Sequence, residues 1–238
     1  APLMNGKIHP ALLPAGLQDT LPPDAEFESE VTEGLIAAFA AHGYERVKPP
    51  LIEFEENLIS GSGAATAAQT FRLMDPVSQR MLGLRADMTL QIARIATTRL
   101  ADLPRPLRLS YAGQVLRVVG SALRPERQFG QVGAELIGSA SCRADAEVIL
   151  MAANTLKSLG VSGLSIDLGL PLLVSEAIKA SGPKDEGGIA TLNAALAQKD
   201  AAAIAAIDGV EPELFAAILD AAGHAEDHVS GIFYHGIK

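Results

Sequence analysis

Gln131, Gly133 and Glu135 stand two apart in a run of strand-forming residues, so their side chains share one strand face. Across the small Gly133 an amide and a carboxylate can converge on one ligand. Such a ladder suits a dry core poorly, because buried polar groups cost free energy unless they are satisfied. The choice is between a binding face and a solvated sheet face. Asp87 and Thr89 form a second pair: a carboxylate and a hydroxyl two residues apart at a strand end can jointly accept hydrogen bonds from an ammonium. The same Asp-Met-Thr stretch also fits a helix N-cap, and the residues alone leave both readings open. His224 and His228 have a metal-ligand spacing, but no third ligand or general base accompanies them. They read more simply as polar residues ahead of a strand. The loop at 60–68, SGSGAATAA, has the small residues of a phosphate cradle without a following Gly-Lys-Ser/Thr, and reads as a plain loop.

The elements that must position these groups follow from periodicity. After an irregular arm over 1–20, Pro22-Pro23-Asp24 opens a helix. Its stripe is Phe27, Val31, Leu35, Ala38, Phe39 and His42, and Gly43 stops it. Residues 44–54 are extended but broken by Pro49-Pro50, which is edge or interface behaviour. A hairpin is predicted from 70–74 and 80–85 around Asp75-Pro76-Val77-Ser78, followed by a helix over 88–100 with Ile92, Ile95 and Ala96 inward. Two longer strands, 107–119 and 127–137, flank a breaker-rich loop. Then come a helix over 144–159 (Val148, Ile149, Ala152, Leu156 and Leu159 on one face), a strand alternating at Leu164, Ile166 and Leu168, and short Ala-rich helices divided at 181–183, 199–200 and 208–209. Ile232-Phe233-Tyr234 begins a further strand. The pattern is α+β, a mostly antiparallel sheet flanked by helices, with a small helical insertion. The predicted domains are a core of 1–170 and 224–238 and an insertion of 171–223.

Composition narrows the function classes. A formal charge of -9 and a pI near 5.0 work against nucleic-acid binding, whose affinity comes largely from neutralising phosphates, and 4% aromatics leave little for base stacking. The densest basic stretch, 105–127, mixes Arg with apolar and Gly residues and reads as strand. Mean hydropathy of +0.23 comes without any apolar run long enough for a membrane span, and the N-terminus shows no signal-peptide pattern. The single Cys142 cannot form an internal disulfide. These features fit a soluble cytoplasmic protein.

Three segments carry a resemblance. The stretch Tyr44-Glu45-Arg46-Val47-Lys48-Pro49-Pro50, behind a long helix, resembles motif 1 of class II aminoacyl-tRNA synthetases. Leu84-Arg85-Ala86-Asp87-Met88-Thr89 looks like the Arg-Pro-Glu-Gly-Thr element that binds the amino group of histidine in histidyl-tRNA synthetases. The stretch from Arg108 to Arg117, with Arg127-Gln128-Phe129-Gly130-Gln131-Val132-Gly133-Ala134-Glu135 after it, is similar to motif 2 and the next strand. The chain thus resembles the histidyl-tRNA-synthetase-like family from Leu12 to Gly236. The resemblance implies a class II synthetase-like core with a histidine pocket made by Asp87, Thr89, Arg117, Gln131, Glu135 and Tyr234.

It also implies lost chemistry. The acid that would hold adenine two residues after Arg117 is Val119 here. The element Arg-Gly-Leu-Asp-Tyr-Tyr-Thr-Gly corresponds to 229–236, with Val229 in place of its arginine. Motif 3 and an anticodon-binding domain would lie beyond Lys238, so the core is expected to be truncated. A kept amino-acid pocket beside dismantled activation machinery is what ATP phosphoribosyltransferase regulatory subunits look like. The implied partners are a short-form catalytic chain, a second copy of this chain in a homodimer, and histidine as effector; no catalytic residue, metal or cofactor is expected. The competing expectation is an active histidyl-tRNA synthetase, a fragment of one, or a related amino-acid-activating ligase.

Overall fold

A computed structural model describes residues 12–59, 67–122, 124–169 and 171–221 of the chain. They fall into two compact units that divide between Leu164 and Ser165.

In the first unit, α1 (Asp24–Ala41) follows Pro23 as N-cap, with Asp24 and Glu26 at its positive end. It ends at His42, and Gly43 takes the left-handed conformation (φ +81°) that a helix exit favours. Ile36 and Phe39 are buried and Val31 and Leu35 half-buried, whereas Phe27 is 68% exposed. A repeat of four residues overshoots a full helical turn by about 40° per step. Three such steps separate Phe27 from Phe39, which turns Phe27 off the packed face.

The central sheet runs β1 (Glu45–Arg46), β5 (Leu107–Leu116), β6 (Gln128–Ile137). Strand β1 pairs parallel to β5, while β5 and β6 form an antiparallel ladder from Leu107↔Ile137 to Leu116↔Gln128. A second, antiparallel sheet has the order β2 (Ile52–Phe54), β4 (Met81–Leu84), β3 (Phe71–Met74), with the short α2 (Glu55–Ile59) after β2. The β3–β4 turn is the predicted hairpin. The Asp75 carboxylate accepts from the Val77 and Ser78 N–H groups, each at 3.1 Å, and from Ser78 Oγ. Those bonds, Ser78's hydroxyl foremost, hold the Asp75 carboxyl below its ordinary pKa.

Helices cover both faces of the central sheet. On one side α3 (Thr89–Thr98), with Met88 before it, sets Met88, Ile92 and Ala96 against Leu107, Leu109, Tyr111 and Val115. On the other, α1 and α4 (Cys142–Ser158) pack Ile36, Phe39 and Met151 over Ala112, Val132, Ala134 and Leu136. The packed face of α4 overlaps the predicted one but is turned from it. Val148 and Ile149 are half-buried as predicted, joined by Glu147, Met151 and Thr155, while Ala152, Leu156 and Leu159 are exposed. Glu147 explains the rotation: Arg108 grips its carboxylate through two 2.8 Å hydrogen bonds and the Tyr44 hydroxyl donates at 3.3 Å, so a polar residue faces inward.

The second unit is helical: α5 (Pro171–Ser181), α6 (Glu186–Ala197), α7 (Ala201–Ala205) and α8 (Pro212–Asp220), interrupted where the breakers stand. Asp185 and Asp200 cap α6 and α7 by accepting from Gly188 N–H and Ala203 N–H. The core is Ile178, Leu192, Ala195, Ile204 and Phe215. The strand predicted around Leu164, Ile166 and Leu168 does not form; Ile166 is 53% and Leu168 65% exposed. Alternation makes a strand only where a neighbour accepts its backbone hydrogen bonds, and none is found there among the described residues. The strand predicted from Ile232, and with it the return of 224–238 to the core, lies outside the described residues.

Arg85, at the end of β4, joins the two sheets. Its guanidinium, 6% exposed by residue, donates to the carbonyls of Gln114 (2.8 Å) and Pro49 (3.0 Å). It lies where Gly113 has no side chain; a Cβ there would come within 2.3 Å of Nη2. Burial holds the Arg85 pKa below the ordinary arginine value, and the nearby Glu53 charge opposes that shift. Arg85→Met keeps the volume and leaves buried carbonyls unpaired. It is expected to destabilise the chain by on the order of 1–3 kcal/mol or more in urea denaturation, and an unchanged midpoint would contradict the assigned role.

Candidate functional site

The ladder register sets Tyr111 opposite Gly133 and Gly113 opposite Gln131, all on the face that α3 covers. Tyr111 lies across Gly133 so closely that a Cβ at 133 would approach its ring and hydroxyl to 2.4 Å. The missing side chain lets the phenol reach the next position along, where its hydroxyl donates to Glu135 Oε1 at 3.0 Å. Thr89 Oγ1 stands 3.3 Å from the same hydroxyl.

The turn before α3 completes the cluster. Asp87 Oδ1 accepts from Thr89 N–H at 2.7 Å, so the carboxylate does stabilise the helix start. Its second oxygen, Oδ2, accepts from Gln131 Nε2 at 3.1 Å, and Gln131 Oε1 in turn accepts from Met88 N–H at 2.9 Å. One amide therefore grips the turn with both ends. The N-cap itself is Met88, with no side-chain cap bond, so Asp87 supports the helix start from one residue before the cap.

Four of the residues singled out from sequence thus meet: Asp87, Thr89, Gln131 and Glu135. Arg117 lies beside them. Its Nε donates to Ala86 O at 3.4 Å and its guanidinium stacks 5.1 Å over the Phe129 ring, which Arg124 also faces at 4.8 Å. Tyr234 lies outside the described residues, as do Val229, His224 and His228. Tyr111, central to the cluster, was not among the predicted site residues. Its signal was the pairing of Tyr111-Ala112-Gly113 with Gln131-Val132-Gly133, which becomes visible only once the register is known.

Charge gives the cluster its chemistry. Two carboxylates stand close together and half-buried. Burial raises the Glu135 pKa above the ordinary carboxylate value and the Asp87 charge adds to the rise, while bonds to the Tyr111 and Thr89 hydroxyls oppose it. Burial likewise pushes the Tyr111 phenol up to about 12, so it stays a hydrogen-bond donor at neutral pH. Acceptors predominate, which suits an ammonium or another cationic donor. Met88 N–H, Thr89 N–H, Gln131 Nε2 and the Tyr111 hydroxyl donate within the cluster itself. Thr89 is exposed, so the cluster reaches the surface there. Among the described residues no group of three His, Cys, Asp or Glu side chains could hold a metal ion, and no helix is long and apolar enough to cross a membrane.

Residues 16–229 match the family described as histidyl-tRNA synthetase. The ATP phosphoribosyltransferase regulatory subunit of Paramagnetospirillum magneticum is 60% identical over 222 residues, 93% of this chain and 58% of that protein. Its counterpart in Rhodospirillum centenum is 58% identical over 93% of this chain and 57% of that protein. The chain thus spans little more than half the length of these relatives. Among solved structures, an ATP phosphoribosyltransferase regulatory subunit/histidyl-tRNA synthetase from Bacillus halodurans is similar with a TM-score of 0.71 and 27% identity, covering 86% of this chain and 53% of that one. A histidine–tRNA ligase subunit from Alicyclobacillus acidocaldarius gives 0.63 and 30%, over 77% and 52%.

The raised Glu135 pKa has a stability consequence. The folded state binds more protons than the unfolded chain just above the ordinary carboxylate pKa, so stability falls as pH rises through that window and stays lowered above it. Glu135→Gln removes this term. The variant is expected to show a flatter dependence of Tm on pH from weakly acidic to neutral conditions than the parent, measured by calorimetry; parallel curves would contradict the burial argument.

Proposed function

The chain belongs to the histidyl-tRNA synthetase family, and from that membership we propose that it is a non-catalytic regulatory subunit of ATP phosphoribosyltransferase, acting in histidine biosynthesis. The observation that supports this reading is a polar cluster at positions that, by family likeness, hold an amino acid, with a valine where that likeness implies an acid for adenine. Asp87, Thr89, Gln131 and Glu135 converge, whereas the position two residues after Arg117 holds Val119, 68% exposed and unable to accept a hydrogen bond from adenine. The regulatory-subunit names of the relatives support the same reading.

On this proposal the chain works in the cytoplasm as a homodimer, joins a short catalytic chain that needs it for activity, and transmits feedback inhibition by histidine. The ammonium of histidine lies between Asp87 and Thr89. Gln131 and Glu135 line the rest of the pocket, with Arg117 and Tyr234 as its further members by family likeness. Residues 171–223 are a helical insertion in the synthetase-like core, which 224–238 rejoin. Inhibition at a distance then requires only that histidine bind one state of the assembly more tightly than the other.

Reconstitution with a short-form ATP phosphoribosyltransferase catalytic chain tests the proposal. The parent chain is expected to activate that enzyme and make it histidine-sensitive. Gln131→Ala and Glu135→Ala should each weaken inhibition by about tenfold or more, the loss of roughly one charge-assisted hydrogen bond, with assembly unchanged by sedimentation. No activation, together with histidine-dependent exchange of pyrophosphate into ATP by this chain alone, would assign it to the amino-acid-activating ligases instead.

A further inference from the structure

We propose that Arg85 and Gln91 couple the polar cluster to the edge segment 49–53, so that an amino acid bound at Asp87 and Glu135 alters the backbone around Leu51 and Ile52. The inference rests on the amino-acid-binding reading above and adds the route by which occupancy leaves the site.

The turn 86–88 is held on the cluster side by three contacts. Gln131 Oε1 accepts from Met88 N–H, Gln131 Nε2 donates to Asp87 Oδ2, and Arg117 Nε donates to Ala86 O. The residues on either side of the turn hold a different part of the chain. Before it, Arg85 N–H donates to Leu51 O at 3.1 Å, Arg85 O accepts from Leu116 N–H at 3.0 Å, and the guanidinium donates to Pro49 O at 3.0 Å. After it, Gln91, 0% exposed, donates through Nε2 to Pro50 O at 2.8 Å and Glu53 Oε1 at 2.9 Å. Segment 49–53 is therefore clamped by residues two before and four after Asp87, and Arg94 holds Glu53 from the next turn of α3.

Ligand binding supplies the differential contact that coupling requires. An ammonium seated on Asp87 Oδ2 meets an oxygen that already accepts from Gln131 Nε2, and the Gln131 amide turns from Asp87 towards the bound ligand. When the amide lets go of Asp87, its hold on Met88 N–H is re-aimed as well, and the turn takes a second arrangement. Arg85 and Gln91 are buried in close-packed surroundings, which transmit a displacement and do not absorb it. The displacement arrives at a sheet edge where Leu51 and Ile52 are each 40% exposed. Arg85 and Gln91 act here as positioning residues and touch no ligand.

Hydrogen–deuterium exchange on the full chain, with and without histidine at a concentration shown by calorimetry to saturate it, tests the coupling. In the parent, exchange of the amides over 51–54 is expected to change by about fivefold or more, the lower end of ordinary coupling between sites. Gln91→Met keeps the side-chain volume and removes the grip on Pro50 and Glu53; it should bind histidine with affinity close to the parent's and lose the change over 51–54. Arg85→Lys, which keeps the charge but not the guanidinium fork, is the second variant and should behave alike. Saturation of the parent without any change over 51–54 overturns the coupling while leaving the binding reading intact, as does a change that survives in either folded variant. Failure of the parent to bind histidine overturns the binding reading itself and the coupling with it.

Discussion

A buried guanidinium has to be surrounded by acceptors, and in this chain a proline segment and a strand supply them. Pro49 and Pro50 have no N–H, so the extended segment between β1 and β2 cannot continue a ladder there and its carbonyls are left facing inward. Arg85 takes Pro49 O and Gln91 takes Pro50 O, while Gln114 O closes the set from β5. None of this fits unless the sheet face beneath is bare, and Gly113 makes it bare. Once Arg85 is fixed, the residues that follow have little freedom. Asp87, Met88 and Thr89 come to lie over β6, and α3 runs on across Leu107, Leu109 and Val115. The functional cluster is in this sense a consequence of how a cation is satisfied one layer below it.

The cluster repeats the device one pair along. Gly133 is bare so that Tyr111 can lie over it, as Gly113 is bare for Arg85. Large side chains crossing small ones bring Tyr111, Thr89 and Glu135 within hydrogen-bonding distance on the face that also carries Gln131. Burial raises the Glu135 pKa and the Asp87 charge adds to the rise. On the proposed function a cationic ligand relieves that cost. The same proposal reads Val118 and Val119, which follow Arg117, as the loss of the acid that family likeness would place there for adenine.

Much of this was legible from sequence, because the informative residues are punctuators and period-two pairs. Pro49-Pro50 marked an edge, the Asp75 turn marked a hairpin, and the even spacing of Gln131, Gly133 and Glu135 marked one strand face. Helix α4 keeps Val148 and Ile149 of the predicted face but packs on a face turned from it, because apolar periodicity cannot reveal that Arg108 and Tyr44 hold Glu147. The strand expected at Leu164 to Leu168 failed because alternation says nothing about whether a partner is present. Tyr111 and Arg85 were passed over for a related reason. Their roles depend on which glycine lies opposite or beneath, and that is a property of register, which local sequence does not fix.

On the proposed function Asp87 and Thr89, backed by Gln131 and Glu135, select an amino acid through its ammonium. Calorimetric titration of the chain with histidine, set against imidazolepropionate, which keeps the imidazole and the carboxylate but lacks the amino group, tests it most directly. The account predicts saturable heat with histidine and binding of the des-amino compound weaker by about a hundredfold or more, as for a polar site offered a ligand that leaves it unpaired. Equal affinity for the two compounds would contradict it.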